Sequence, residues 1–205
     1  MSGDKFVMRV SCGTLACLLV FVLIILLLHG IREDYDGHSQ LISELALGKG
    51  GFMMIFAFLA LAGACICLSS ALSRAFHKNR SLLLNRMQAL SFGFAAAGFL
   101  GAGAITLQED APTHIACVLL AFTTLLLAMF IVLRAAPCRA LRRGALMAIL
   151  VVIVALLPIG LQAGEAQRLI ASGILGWMAY VGIFLLSQSG ARPRKTSTLK
   201  TSARN

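Results

Sequence analysis

Charge is what this sequence has least of. Asp, Glu, Lys and Arg make up 13% of its 205 residues while apolar residues make up 59%, against about 25% and 45–50% in soluble globular chains. A water-soluble domain of ordinary composition is therefore excluded, and lipid is the expected solvent for most of the chain. Acidic residues are especially few, eight against eighteen Lys and Arg. The resulting net charge of +10 does not point to nucleic acid, because that reading needs the basic residues gathered on one soluble face, and here they are scattered between apolar runs. Also missing are a Gly-x-Ser-x-Gly elbow, a phosphate-binding loop and a dinucleotide fingerprint. No His-x-x-x-His pair offers helical metal ligands. The six cysteines lie within apolar runs or, for Cys138, in a basic connector, so no disulfide is expected. Cys65 and Cys67 read as small packing residues, since a spacing of two points helical side chains to nearly opposite faces. Neither a metal nor a cofactor is expected.

What the chain does have is length without charge. A hydrocarbon core about 30 Å thick needs about 20 apolar residues in a helix rising 1.5 Å per residue. Six segments approach that length: Val10 to Leu28, Phe52 to Leu72, Ala89 to Leu107, Ile115 to Leu133, Ala145 to Leu161 and Leu169 to Leu186. The expected fold is an all-α, six-helix transmembrane bundle over residues 1–190. The first run follows Lys5 and Arg9 but has no small-x-small cleavage site after it, so it reads as an uncleaved anchor. Fifteen of the eighteen Lys and Arg fall in the termini and alternate connectors on one side. Only Arg32, Lys49 and Arg168 fall on the other, with seven of the eight acids. Positive residues resist translocation, which places both termini in the cytoplasm. The expected location is the inner, plasma membrane of a bacterium. The basic, Ser/Thr-rich segment 191–205 reads as a disordered cytoplasmic tail.

Packing between helices in lipid depends on small residues. Gly93, Ala97 and Gly101 recur every four residues in the third run, with Gly98 and Ala102 on an adjoining strip, which marks it as a central helix. Ala60 and Ala64 in the second run and Ser172 and Gly176 in the sixth make those its expected neighbours. Pro158 should kink or end the fifth helix. Tyr180, mid-span, should find a hydrogen-bond partner inside the bundle.

The longest outer connector, residues 29–51, carries Leu41, Ile42, Leu45 and Leu47 on one side. It suggests a short amphipathic helix over Ser39 to Leu47, capped by Ser39 and ended by Gly48, Gly50 and Gly51. Three outer places then carry a resemblance. They are Tyr35 with Ile42-Ser43-Glu44-Leu45, Glu109-Asp110 with His114 and Ala116, and Gln167-Arg168 with Trp177. Together they resemble the six-helix bacterial and archaeal membrane proteins grouped as domain of unknown function 998, over nearly the whole chain. A more distant similarity, through the Ser-acidic-Leu element, reaches the damage-regulated autophagy modulator family and its relatives in glycolipid-anchor remodelling. Here Ala46-Leu47-Gly48 stands where the first family often has Gly directly after Leu. The resemblance implies a fold and no reaction.

All three places face outward. Ser43, Glu44, Asp110, His114, Gln167 and Arg168 are expected to meet at the outer mouth as a polar pocket over an apolar interior, which suits a lipid headgroup or small amphiphile. Competing with this, Arg168 pairs with Glu44 or Asp110 merely to tie the loop down. An enzyme reading assigns Ser43 as nucleophile, His114 as base and Asp110 as its orienter. A transporter should show broken helices or midplane polar groups, which are few, and an accessory subunit should travel with partners. The expected partners are membrane lipids and no nucleic acid, with a second copy or a membrane-complex protein also possible.

Overall fold

Backbone N–H and C=O groups find no water in hydrocarbon, so apolar runs of this length fold as helices that satisfy those groups internally. The computed structural model describes residues 3–76, 81–158 and 160–190. Six α-helices run through them: α1 Gly3–Ile31, α2 Met53–Phe76, α3 Leu82–Ala104, α4 Ala111–Ala135, α5 Arg139–Leu156 and α6 Ala163–Gly190. A 3-10 helix, Ile42–Leu47, lies between α1 and α2. The tail from residue 191 lies outside the described residues.

By length and composition five of these helices qualify directly as membrane spans. The exception is α5, which has 18 residues and opens with Arg139, Arg142 and Arg143. It stops at Leu156 because Pro158 follows: Leu157 takes the extended conformation forced on a residue before proline (φ −73°, ψ 149°). Chain continuity still makes it cross, since α4 ends on the basic face and α6 begins on the opposite one. Of its arginines, Arg142 reaches back to the basic connector, where its Nε donates to Ala136 O at 2.7 Å.

The helices form a ring in chain order, each packed on the next, with α6 closing onto α1 and touching α2 across the interior. The α1–α2 seam has a reciprocal construction. In an antiparallel pair, residues four apart on one helix meet residues four apart on the other in reverse order. A Cβ added to Gly13 would lie 3.1 Å from Cys67 Sγ, and one added to Gly63 would lie 3.2 Å from Cys17 Sγ. Each cysteine thus fills a notch left by a glycine of its partner, and Cys65 beside them is fully buried.

The small-residue strip of α3 differs from expectation. Gly93 and Ala97 are exposed, and nothing lies within 4 Å of a Cβ added at Gly93. Of the three expected residues Gly101 does pack, a Cβ there meeting Cys117 Sγ at 2.7 Å, but the main strip is the adjoining one, with Ala95, Gly98 and Ala102 buried. At Gly98 a Cβ would meet Cys117 O at 2.6 Å and Ala121 N at 2.9 Å, so the α3 and α4 backbones touch there. The neighbours of α3 are α2 and α4; α6 reaches it through Phe92 stacked on Trp177, with ring centroids 6.3 Å apart. Ser172 and Gly176 are exposed as well, and Tyr180 is 39% exposed. Instead of sending its hydroxyl into the bundle, Tyr180 lays its ring against Gly144 of α5.

Candidate functional site at the outer mouth

The outer connector begins where α1 runs out. Arg32 N–H still donates to Leu28 O at 3.0 Å, but the side chain turns into the loop and is only 7% exposed. Its Nε and Nη2 donate to the two carboxylate oxygens of Asp34, both at 2.7 Å. Nη1 donates to Glu44 O at 3.3 Å. These bonds hold the Asp34 carboxyl below the usual carboxylate range. Gly48 gives the guanidinium its room, because a Cβ there would lie 2.4 Å from Arg32 Cζ.

Asp36 organises the next turn. Its carboxylate accepts from the Ser39 hydroxyl and from His38 N–H, as an Asx turn does. Ser39 is thereby occupied and does not cap a helix, which explains why the expected helix from Ser39 is cut back to Ile42–Leu47. The cap comes from Glu44, whose Oε1 accepts from Leu41 N–H at 2.9 Å. This short helix is set into the bundle, with Leu45 fully buried and Ser43 5% exposed.

Residues some 125 positions away hold the loop there. Gln167 Oε1 accepts from Ile42 N–H at 2.6 Å, and Arg168 Nη1 donates to Gln40 O at 2.9 Å. Arg168 Nη2 donates to the Tyr35 hydroxyl, which in turn donates to Leu41 O at 2.9 Å. The guanidinium carbon lies 5.5 Å from the Tyr35 ring centroid, a cation–π distance, and burial pushes the Tyr35 phenol pKa up. Glu165 N–H donates to His38 O at 3.1 Å, and Glu165 Oε1 meets His38 Nδ1 at 2.9 Å. The bond to Glu165 raises the His38 pKa and lowers that of Glu165. Gly164 permits the approach, since a Cβ there would meet Gln40 O at 2.4 Å and His38 O at 2.7 Å.

Two openings flank this junction. Under the short helix lies a cavity of about 30 Å³, room for about one water molecule, with Ser43 and Gln167 above Phe58, Phe99, Val118 and Phe122. On the outer flank of α6 an open cleft of about 570 Å³ is lined by Gly37, His38, Glu165 and Arg168 together with Leu161, Leu169 and Ser172. A Cβ on Gly37 would lie 3.4 Å from His29 Nε2 and 3.5 Å from Arg168 Nη2, ordinary contact distances, so Gly37 borders the guanidinium.

The six candidate residues are thus only partly brought together. Ser43, Glu44, Gln167 and Arg168 belong to the junction. Asp110 caps α4, accepting from Thr113 N–H at 3.3 Å and from the Thr113 hydroxyl. His114, 1% exposed, donates from Nδ1 to Ile105 O at 2.8 Å and so staples the α3–α4 turn. Its ring meets Phe58 edge-on at 5.6 Å, and its Nε2 has no partner. Among the described residues Arg168 pairs with neither Glu44 nor Asp110, and no hydrogen bond joins Ser43 to His114 or the Asp110 side chain to the His114 ring. The loop is tied down, but through neutral acceptors. Sequence reasoning missed Arg32, Gln40 and Gly164. Arg32, directly after an apolar run, was a usable signal; Gly164 had none.

The family model described as Protein of unknown function (DUF998) matches residues 15–183. The chain belongs to that family, and the match spans all three outer places described above. No curated protein and no solved structure matches it.

Proposed function

We propose that this integral membrane protein binds an amphiphile, a lipid headgroup with its tail, at the outer end of α6, in the service of lipid handling or envelope maintenance in a bacterial inner membrane. The observation that carries the reading is the mixed lining of the cleft: charged and polar groups of His38, Glu165 and Arg168 beside the apolar side chains of Leu161 and Leu169, with Ser172 on the exposed face of α6 one turn beyond Arg168. A site of this polarity, open sideways to the bilayer, matches a molecule that is polar at one end and apolar at the other. The hydrogen bonds around it supply preorganisation: Gln167 and Arg168 fix the loop that forms one wall, so little ordering remains for binding to accomplish.

Ser172 takes no part in those bonds, which makes it the residue to test. Ser172→Trp fills the cleft and leaves the loop anchored. Native mass spectrometry of protein released from mild detergent should find lipid retained by the wild type and lost from the variant, with the melting temperature unchanged. Equal lipid retention by both proteins would contradict the reading.

A further inference from the structure

The charge balance of the cleft points to the kind of headgroup. Three basic residues stand on the outer side. Arg32 is matched by Asp34, and Lys49 lies exposed on the loop before α2. Arg168 is half-buried, and among the described residues its bonds go to a backbone carbonyl and a tyrosine hydroxyl, both neutral. Those bonds orient the guanidinium fork and leave its positive charge unmatched, with three of its five N–H donors free of protein acceptors. A cation held near the bilayer surface, where desolvation is costly, favours an anionic partner. Planar guanidinium donors suit the oxygens of a phosphate.

Glu165 lies in the same cleft and opposes an anion, but its carboxylate is engaged by His38. The charged groups facing His38 are Glu165 and Arg168 on α6 and Asp36 on its own loop. When His38 is protonated it offsets Glu165, and Arg168 is the excess charge among the groups that line the cleft; Asp36 lies outside that lining, its carboxylate held by His38 N–H and the Ser39 hydroxyl. When His38 is neutral, Glu165 partly cancels Arg168.

Resting on the amphiphile reading above, we infer that the cleft is selective for an anionic phospholipid, whose phosphate lies against Arg168 beside Gly37 while an acyl chain follows Leu169 and Ser172 down the exposed face of α6.

The test uses the full chain in detergent with phosphatidylglycerol or phosphatidylcholine of identical acyl chains, read by native mass spectrometry at pH 6. The wild type should retain phosphatidylglycerol about fivefold better, the effect of roughly one basic residue at an anionic surface. Glu165→Gln removes the opposing charge and keeps a hydrogen-bond acceptor for His38, so it should increase that preference, a gain that misfolding cannot imitate. Arg168→Gln should abolish the preference. Equal retention of the two lipids, with Glu165→Gln without effect, would overturn the anionic assignment and leave the amphiphile reading standing. Retention of neither lipid would sink both. Displacement of phosphatidylglycerol by millimolar inorganic phosphate would show a site for a free anion and would overturn the lipid assignment.

Discussion

The connector between α1 and α2 and the one between α4 and α5 face opposite sides of the bundle and are built on opposite principles. The α4–α5 turn is three residues long, and its side-chain hydrogen bond is local, Arg142 Nε to Ala136 O at 2.7 Å. Its arginines need only remain on the basic side. The α1–α2 connector is long, carries a helix of its own and is bonded to α6 through residues 38, 40, 42 and 35. Topology alone requires no such structure, because a solvated loop would join the helices equally well. An ordered connector fastened to a distant helix gives this face of the bundle a fixed wall, the feature on which the proposed site rests.

A second contrast, between the two small-residue strips of α3, gives the largest expected effect. Gly98→Leu drives a side chain into the α4 backbone and should cost more than about 3 kcal/mol, abolishing the folded protein. Gly93→Leu points into lipid and should leave the melting temperature unchanged. Similar melting temperatures for the two would mean that the packing face has been misassigned. Next comes the plug of the outer loop. Leu45→Ala removes a fully buried side chain and should destabilise by about 2–5 kcal/mol, measurable as a lower denaturant midpoint. The matching change at exposed Leu47 should cost little.

A smaller effect separates the polar fastening from the apolar one. Tyr35→Phe keeps the ring under Arg168 and removes the hydroxyl shared by Arg168 and Leu41 O, a loss of about 1–3 kcal/mol. Hydrogen exchange should quicken in residues 33–42 and not at the α4–α5 turn; uniform change in both would argue against a localised fastening. The smallest effect is the pH response of the His38–Glu165 contact. The raised His38 pKa means its contribution is complete below the ordinary imidazole value of 6.5 and is lost as pH rises through the raised value. Glu165, lowered from 4.5, acts in reverse and loses its contribution as pH falls through that lowered value. Exchange protection of residues 37–40 should therefore decline from pH 6 to pH 9, and His38→Ala should remove the dependence. His38 is exposed and Glu165 partly so, so the change should be slight.

The bundle was readable in the sequence because uncharged length and Lys/Arg asymmetry report directly on lipid and side. Pro158 was readable for the same reason, since its effect on the preceding residue is local. The phase of α3 was not readable. Gly93 and Gly98 offer adjacent small strips at the same period, and only the approach of Cys117 and Ala121 from α4 selects between them. At the outer mouth the sequence marked the right loop and the right helix end, Ser43 and Glu44 with Gln167 and Arg168. It suggested the wrong pairing for Arg168, because carboxylates are the obvious partners for an arginine and backbone carbonyls leave no mark in a sequence. Asp110 and His114 looked like chemistry for a similar reason: a cap and a staple use the same residue types as an acid and a base.

The proposed amphiphile site at α6 is tested most directly by where a bound lipid touches the protein. A phospholipid carrying a photoactivated diazirine in its acyl chain, crosslinked in detergent at low lipid-to-protein ratio and mapped by peptide sequencing, should label residues 161–172 strongly. The exposed face of α3 around Gly93 and Ala97 should be labelled only at background. Labelling spread evenly over every lipid-facing helix would contradict a specific site at the outer end of α6.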